Sequence, residues 1–394
     1  MKTAIINGIL LTPFRRIQNG GLIIQDGVIT EILEEGQILH ADRIIDAQGY
    51  YVSPGFIDIH SHGGGGHDFM DGTVEAITGA AKSHMEHGTT SIVPTTVTCP
   101  DEELFDFFTC YRQVKTQMEG CPNLLGIHLE GPYFSAEQKG AQDPKYLKIP
   151  AREDYINILS KSDDIIRMSV APELPGALEL GVELKKRGIL PSIGHSDATY
   201  QQIIPAFEQG YTHVTHLYSG MSTIRRINAY RYLGVVESAY LIDDMTVEII
   251  ADGKHLPPEL LKLIMKTKPL DKISLITDSM RGAGMPEGEW VQLGSLKHGQ
   301  KVVIDGGVAM LADHSSFAGS VCTTDRCVRT AYKLAGIPIE DSVRMITANP
   351  AKVIGIEKKK GILAPGMDAD ICIFDEEVNI MVVIVQGKVM VSNI

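Results

Sequence analysis

Six apolar runs of this chain end in histidine, aspartate or glutamate. They are Ile57-Asp58-Ile59-His60-Ser61-His62, His128-Leu129-Glu130-Gly131-Pro132, Gly194-His195-Ser196-Asp197, His213-Val214-Thr215-His216, Ala251-Asp252-Gly253-Lys254-His255 and Thr277-Asp278-Ser279. Side chains alternate along a strand, so His60 and His62 project from one face. His213 and His216 are three apart and face opposite ways; His216, nearer the strand end, is the expected ligand of the two. His128 shares a face with Glu130 but sits one pleat deeper, where packing or support of a ligand is expected. Gathering the imidazoles of His60, His62, His195, His216 and His255 with the carboxylates of Glu130 and Asp278 is costly unless a divalent metal compensates them. Imidazole and carboxylate suit zinc, iron, cobalt or manganese, and ligand type does not choose among them. His40, His67, His84, His87, His298 and His314 fall in loops, helices or edge segments, and solvated or structural roles are expected for them.

The elements that must position these groups alternate. Apolar, β-branched runs occur at Phe56–Ile59, Thr90–Val93, Leu124–Leu129, Ile165–Val170, Leu190–Ile193, His213–Leu217, Thr246–Ile250 and Ile273–Ile276, separated by helical compositions such as Val74–Glu86 and Pro175–Lys186. Eight such units predict a (β/α)8 TIM barrel over residues 53–356, whose C-terminal strand ends, and hence the six motifs, meet at one mouth. A doubly wound sheet is the competitor, but the chain has no Gly-rich dinucleotide loop opening a helix. Short strand-like segments divided by Asn19-Gly20, Asp26-Gly27 and Gln48-Gly49 fill residues 1–52, and similar ones around Gln386-Gly387 fill 357–394. Neither end buries a core alone, so the two are expected to pair into one small β-sandwich domain with the barrel inserted between them.

Composition excludes several classes. The chain has 394 residues, with 36 Lys+Arg against 49 Asp+Glu for a net charge of −13. That acidity argues against nucleic-acid or membrane-surface binding, and an anionic ligand needs a local basic cluster. Six cysteines without a close C-x-x-C pair predict a reduced, cytoplasmic protein. The N-terminal apolar run is broken at Asn7, Gly8 and Pro13, so neither an export signal nor a membrane span is expected.

With Pro54-Gly55-Phe56 leading into His60-Ser61-His62, and with Glu130-Gly131-Pro132, Gly194-His195-Ser196, Thr215-His216-Leu217-Tyr218, Ala251-Asp252-Gly253, Thr277-Asp278 and the Gly361–Asp370 return in one order, the chain resembles the amidohydrolase superfamily. The order and the Glu-Gly-Pro segment are most similar to the N-acetylglucosamine-6-phosphate deacetylase family. The resemblance implies that Glu130 replaces the carboxylated lysine of many relatives; the strand ending Met168–Glu173 offers no lysine. It further implies one metal held by Glu130, His195 and His216, and a second by His60, His62, Glu130 and Asp278, so one or two ions per subunit. A metal lowers the pKa of bound water from 15.7 to about 7. Asp278 then acts as general base and general acid. The implied reaction is hydrolysis of the N-acetyl group of N-acetylglucosamine 6-phosphate, or its galactosamine isomer, to the amine and acetate, by a homodimer.

The substrate loops depart from that family. Gln142 stands where the family carries a histidine, and Ser219-Gly220 stand in place of Asn-Ala, so Gln142, Ser219 and Gly220 are expected on the substrate with altered contacts. The phosphate-binding arginine falls on a loop with Arg225, Arg226 and Arg231; counting forward from His216 selects Arg226 and counting back from His255 selects Arg231, which is preferred, with His255 beside it. A guanidinium fork suits phosphate or carboxylate. The family's arginine can also serve the neighbouring subunit. Two alternatives stand beside the deacetylase: an amidohydrolase of another N-acyl or cyclic amide substrate, and a non-catalytic barrel scaffold. A helix over Asp325–Leu334, a second element at Ser342–Thr347 and the segment Phe317–Ser320 are expected to close the barrel, with Cys322 and Cys327 as neighbours on that helix.

Overall fold

The computed structural model describes residues 2–37, 41–117 and 119–394, so His40 lies outside the described residues. Both chain ends enter one eight-stranded mixed sheet. Its path runs Lys388–Ser392, Ile380–Val385, Ile371–Phe374, Tyr51–Pro54, Lys2–Leu11, Arg16–Gln25, Val28–Leu33, with Arg43–Asp46 also paired to Lys2–Leu11. The two ends join where Cys372 lies opposite Ser53 in an antiparallel pair. Two-residue turns set the hairpin registers: Asp26-Gly27 and Gln386-Gly387 all have positive φ, as the tightest right-twisting turn requires. Ile5, Leu22, Ile24, Val52, Ile371 and Ile384 form the buried layer beneath this sheet.

Between the ends lie parallel strands in two groups. One contains Asn123–Leu124, Thr89–Pro94 and Phe56–Ser61; the other runs Ile127–Glu130, Ile165–Val170, Leu190–Ile193, His213–Val214, Thr246–Ile250 and Ile273–Ile276. Their edges are tied by single parallel bridges, Thr95 to His128 and Ser61 to Ser279. Backbone hydrogen bonds accompany both: Thr96 N–H donates to His128 O at 3.0 Å and Asp278 N–H to His60 O at 2.9 Å. Intervening helices include Val74–Met85, whose first turn is capped by Thr73 Oγ1 accepting from Ala76 N–H at 3.1 Å, and Ala177–Lys186.

Three expectations need correction, and one element is new. The run Leu124–Leu129 is two strands, interrupted at Gly126 with φ +146°, and the run His213–Leu217 is a strand only to Val214, because His216 and Tyr218 have positive φ. Cys322 precedes rather than shares the helix Thr324–Arg329, which continues as a π-helical turn over Thr330–Leu334. Its Sγ nevertheless lies 3.3 Å from Cys327 Sγ. An antiparallel sheet of Trp290–Leu293, Gln300–Asp305 and Val308–Leu311 was not anticipated; it carries the segment leading to Phe317 over the parallel strands' C-terminal ends. No helix among the described residues is long and apolar enough to cross a membrane.

Gly55 is the hinge between the two sheets. Its N–H donates to Asp370 O at 2.8 Å, and a Cβ there would sit 2.2 Å from both Thr90 Cγ2 and Thr90 Oγ1. Thr90 is buried in its strand, and its own Cβ would be 2.6 Å away, an atom that no change of rotamer moves. Gly55→Ala is expected to cost about 1–3 kcal/mol through overpacking. Equilibrium urea unfolding checks this.

Candidate metal centre

The six strongest donors arrive from five strands. His60 lies near the end of Phe56–Ser61 and His62 just beyond it; Glu130 closes Ile127–Glu130; His195, His216 and Asp278 each follow the last strand residue by two. Each is buried. His195, His216 and Asp278 share a local device: φ of +48°, +30° and +48° respectively, in the left-handed region that costs a non-glycine residue about 1–3 kcal/mol. Leaving the strand in that conformation turns the side chain back over the strand ends instead of out along the loop. The surrounding ladder holds the strain, for Asp278 through its N–H on His60 O and Ser320 N–H on Asp278 O at 2.7 Å.

Glu130 is the centre of the arrangement. Its Oε1 lies 2.9 Å from His216 Nε2, 3.2 Å from His195 Nε2 and 3.6 Å from His60 Nε2. Its Oε2 lies 3.4 Å from His62 Nε2. Asp278 Oδ1 completes the other side, 3.1 Å from His62 Nε2 and 3.4 Å from His60 Nε2. Two trios, His60–His62–Glu130 and Glu130–His195–His216, each offer donor atoms within 4.8 Å of one another. The second nitrogens face acceptors: His195 Nδ1 is 2.9 Å from Gln138 O, His216 Nδ1 3.1 Å from Ser219 O and His60 Nδ1 2.7 Å from Glu248 Oε1. With Nδ1 engaged in this way, each ring turns its Nε2 toward the cluster.

Charge tells the same story. Burial pushes the Glu130 carboxyl up, but its hydrogen bonds from His195 and His216 outweigh this and hold it well below the usual carboxylate range. Burial pulls the His62 imidazole down, and its hydrogen bond to Asp278 with the charge of Glu130 reverses that, to about 9. In both cases the buried carboxylates demand positive charge from whatever stands beside them. His60 Nε2 has no hydrogen-bond partner among the described residues although wholly buried, a donor atom without an assigned task. The donor set fits a divalent cation.

Above the cluster opens a cavity of about 440 Å³, with His62, Glu130, His195, His216 and Asp278 at its floor and His255, Ser219 and Gly220 on its walls. A family model described as the amidohydrolase family matches residues 51–390. The chain is 32% identical over 392 residues to N-acetylglucosamine-6-phosphate deacetylase of Haemophilus influenzae, covering 98% of this chain and 99% of that one. This chain is an amidohydrolase of the N-acetylglucosamine-6-phosphate deacetylase family. Solved structures agree: that of the deacetylase from Pasteurella multocida superposes with a TM-score of 0.91 at 29% identity, covering 99% of both chains. A mutant of the Mycobacterium smegmatis enzyme, solved with N-acetyl-D-glucosamine-6-phosphate, superposes with a TM-score of 0.89 at 30% identity over 100% of this chain and 99% of that one.

Within this deacetylase-family chain several expected substrate contacts are placed differently. Gln142 lines the cavity, but its amide is already used: Nε2 donates to Glu130 Oε2 at 2.9 Å, and Oε1 accepts from Thr98 N–H at 2.8 Å and Thr98 Oγ1 at 2.9 Å. It thereby orients Glu130 through one of its two Nε2 protons. Arg226 and Arg231 do not line the cavity; they lie opposite one another on the hairpin of Arg225–Ile227 and Tyr230–Tyr232, exposed, with Arg231 Nη1 donating only to Ala229 O. Counting along the loop could not foresee this, because the hairpin projects both side chains away from the strand ends. Arg225 pairs with Asp197 at 2.5 Å. His255 lines the cavity without Arg231 beside it, its Nδ1 2.8 Å from Asp252 Oδ2.

His213 and His128 belong to a layer beneath the donors: His213 Nε2 lies 3.3 Å from Glu248 Oε2 and His128 Nε2 2.7 Å from Ser169 Oγ. His314 is exposed, as a solvated residue is expected to be, and it stands at the cavity rim with Ser315, Ser316 and Phe317. His84 is structural, its Nε2 2.9 Å from Gly63 O behind His62. Arg167 and Glu248 were missed altogether, although each is a lone charge inside an otherwise apolar strand, Ile-Ile-Arg-Met-Ser-Val and Thr-Val-Glu-Ile-Ile, which is the signal that could have found them.

Proposed function

We propose that the chain hydrolyses the N-acetyl group of an amino-sugar 6-phosphate, foremost N-acetylglucosamine 6-phosphate, giving glucosamine 6-phosphate and acetate. One observation carries this reading: four imidazoles and two carboxylates, with Glu130 common to both trios and all but buried His60 at the floor of a cavity, in a chain that matches the deacetylases end to end. We read the parallel strands as one (β/α)8 barrel spanning 53–356, supported by the bridges at Thr95 and Ser61, and residues 1–52 with 357–394 as a small β-sandwich domain. The six free cysteines suit a cytoplasmic setting.

Glu130, His195 and His216 would hold one divalent cation, and His60, His62, Glu130 and Asp278 a second, the choice among zinc, iron, cobalt and manganese being open to this donor set. Such an ion, when bound, polarises the amide carbonyl and makes water acidic enough to yield a nucleophile near neutral pH. Asp278, on the cavity floor, takes the proton of the attacking water and passes it to the departing nitrogen. Protonation is required because a free amide anion does not leave. His255, fixed through Nδ1 by Asp252, offers Nε2 to a substrate oxygen, and Ser219 and Gly220 line the same wall. Dialysis against a chelator is expected to abolish acetate release, and added zinc or manganese to restore it.

The anion site is best completed by a second subunit. Arg226 and Arg231 stand exposed beside exposed Ile227 and Tyr230, a basic and apolar arm suited to reaching a neighbour's cavity in a homodimer. Arg226→Ala and Arg231→Ala are each assayed for KM; loss of the phosphate contact raises it roughly 10–100-fold for the 6-phosphate, the equivalent of a charge-assisted hydrogen bond, and leaves unphosphorylated N-acetylglucosamine unchanged. A second reading, hydrolysis of a different N-acyl substrate, is favoured by the engagement of the Gln142 amide with Glu130 and by the lack, among the described residues of one chain, of any arginine lining the cavity. Acetate release from a panel of phosphorylated and unphosphorylated N-acetyl glucosamine and galactosamine decides between them: preference for the 6-phosphates supports the first reading, and indifference to phosphate the second.

A further inference from the structure

Below the donors lies a fully buried polar layer that the reaction leaves without a role. Glu248, in the middle of Thr246–Ile250, accepts from Arg167 Nη1 at 2.6 Å and Nη2 at 2.8 Å, and both side chains are 0% exposed. The remaining guanidinium protons go to Thr215 Oγ1 at 2.9 Å, Ser192 Oγ at 3.0 Å and Ile59 O at 3.3 Å, so the fork has no freedom to turn. The same carboxylate lies 2.7 Å from His60 Nδ1. On the other side of that ring, Nε2 is buried, unpartnered and 3.4 Å from Asp278 Oδ1. His128 packs edge-on against the ring, centroids 4.6 Å apart at 89°, and blocks its rotation.

We infer that Glu248, clamped by Arg167, is the positioning residue of the His60 corner: its carboxylate holds the ring proton on Nδ1 and so points the Nε2 lone pair at a second cation beside the one held by Glu130, His195 and His216. The inference rests on the metal-centre reading above. The guanidinium beside Glu248 holds its carboxyl well below the usual carboxylate range, so it stands as a fixed acceptor facing His60 Nδ1. His195 and His216 obtain the same orientation from the backbone carbonyls of Gln138 and Ser219. His60 lies too deep among strands for a loop carbonyl to reach it, and a buried carboxylate does that work. Outer partners of this kind typically change metal affinity 10–100-fold.

The test compares two paired variants by zinc content of the whole chain, measured after dialysis against zinc-buffered solutions. Arg167→Met with Glu248→Met removes the ion pair and the acceptor together. Arg167→Met with Glu248→Gln removes the ion pair but keeps an oxygen that can accept from Nδ1. The wild type is expected to bind two zinc ions, the first variant to bind the weaker ion 10–100-fold less tightly with the other unchanged, and the second variant to recover most of the loss. Equal loss in both variants would assign the effect to packing and overturn the inference, as would wild-type affinity in the first. A wild type that binds one ion overturns the inference and leaves the metal-centre reading standing. One that binds none overturns both.

Discussion

Asp278→Asn is expected to lower the rate of acetate release from N-acetylglucosamine 6-phosphate by about 10²–10⁴-fold, the usual worth of a positioned general acid–base. The substitution keeps the size and backbone of the side chain and removes its ability to accept a proton. Folding should be little affected, since the φ of +48° at this position is one that asparagine adopts more readily than most residues. The loss should fall on kcat, because the proton transfers proposed for Asp278 are made in the transition state, not in the substrate complex. Steady-state kinetics with near-ultraviolet circular dichroism as a folding control measure this. Activity within tenfold of wild type would remove Asp278 from the proton path.

Arg167→Met is expected to have the largest effect on stability, about 3–5 kcal/mol, the typical cost of leaving a buried charge without its partner. Arg167 makes five hydrogen bonds, one for each guanidinium N–H, to Glu248, Thr215, Ser192 and Ile59. Methionine fills part of the volume and satisfies none of these acceptors, and Glu248 keeps a negative charge in the core with His60 and His213 as its nearest relief. Adding Glu248→Met should return much of the loss, because a buried ion pair replaced as a unit by apolar residues is often close to neutral. A double-mutant cycle in urea with both single variants and the pair gives the coupling. Equal and additive losses would mean that the two residues do not act as one unit.

The alternation of strand side chains made much of this site legible. His60 and His62 share a face by parity, and placing histidine or carboxylate after an apolar run puts it at a strand end whatever the rest of the chain does. The pairing of both chain ends into one sheet was likewise readable, since each end is a set of short strands and tight turns too small to bury a core alone. Other features were hidden. The early end at Val214 depends on positive φ at His216 and Tyr218, which ordinary residues adopt only when their neighbours hold them there, and the interrupted strand on an extended run broken at Gly126. His314 came to the cavity rim only because an unforeseen three-stranded insertion folds over it. The arginines moved off the cavity because the loop carrying them is a hairpin, and its direction is set by packing, not by spacing.

The sequence by itself determined which side chains stand at the strand ends and therefore what chemistry they bring, because period-two alternation and turn preference act over a few residues. The tertiary structure alone decided which nitrogen each ring presents and which charge is neutralised. His60 takes its orientation from Glu248, 188 residues away, and Glu248 from Arg167, 81 residues away. Hydrogen bonds of that reach exist only once separate strands lie side by side, where burial makes an unpaired donor or acceptor too costly to leave.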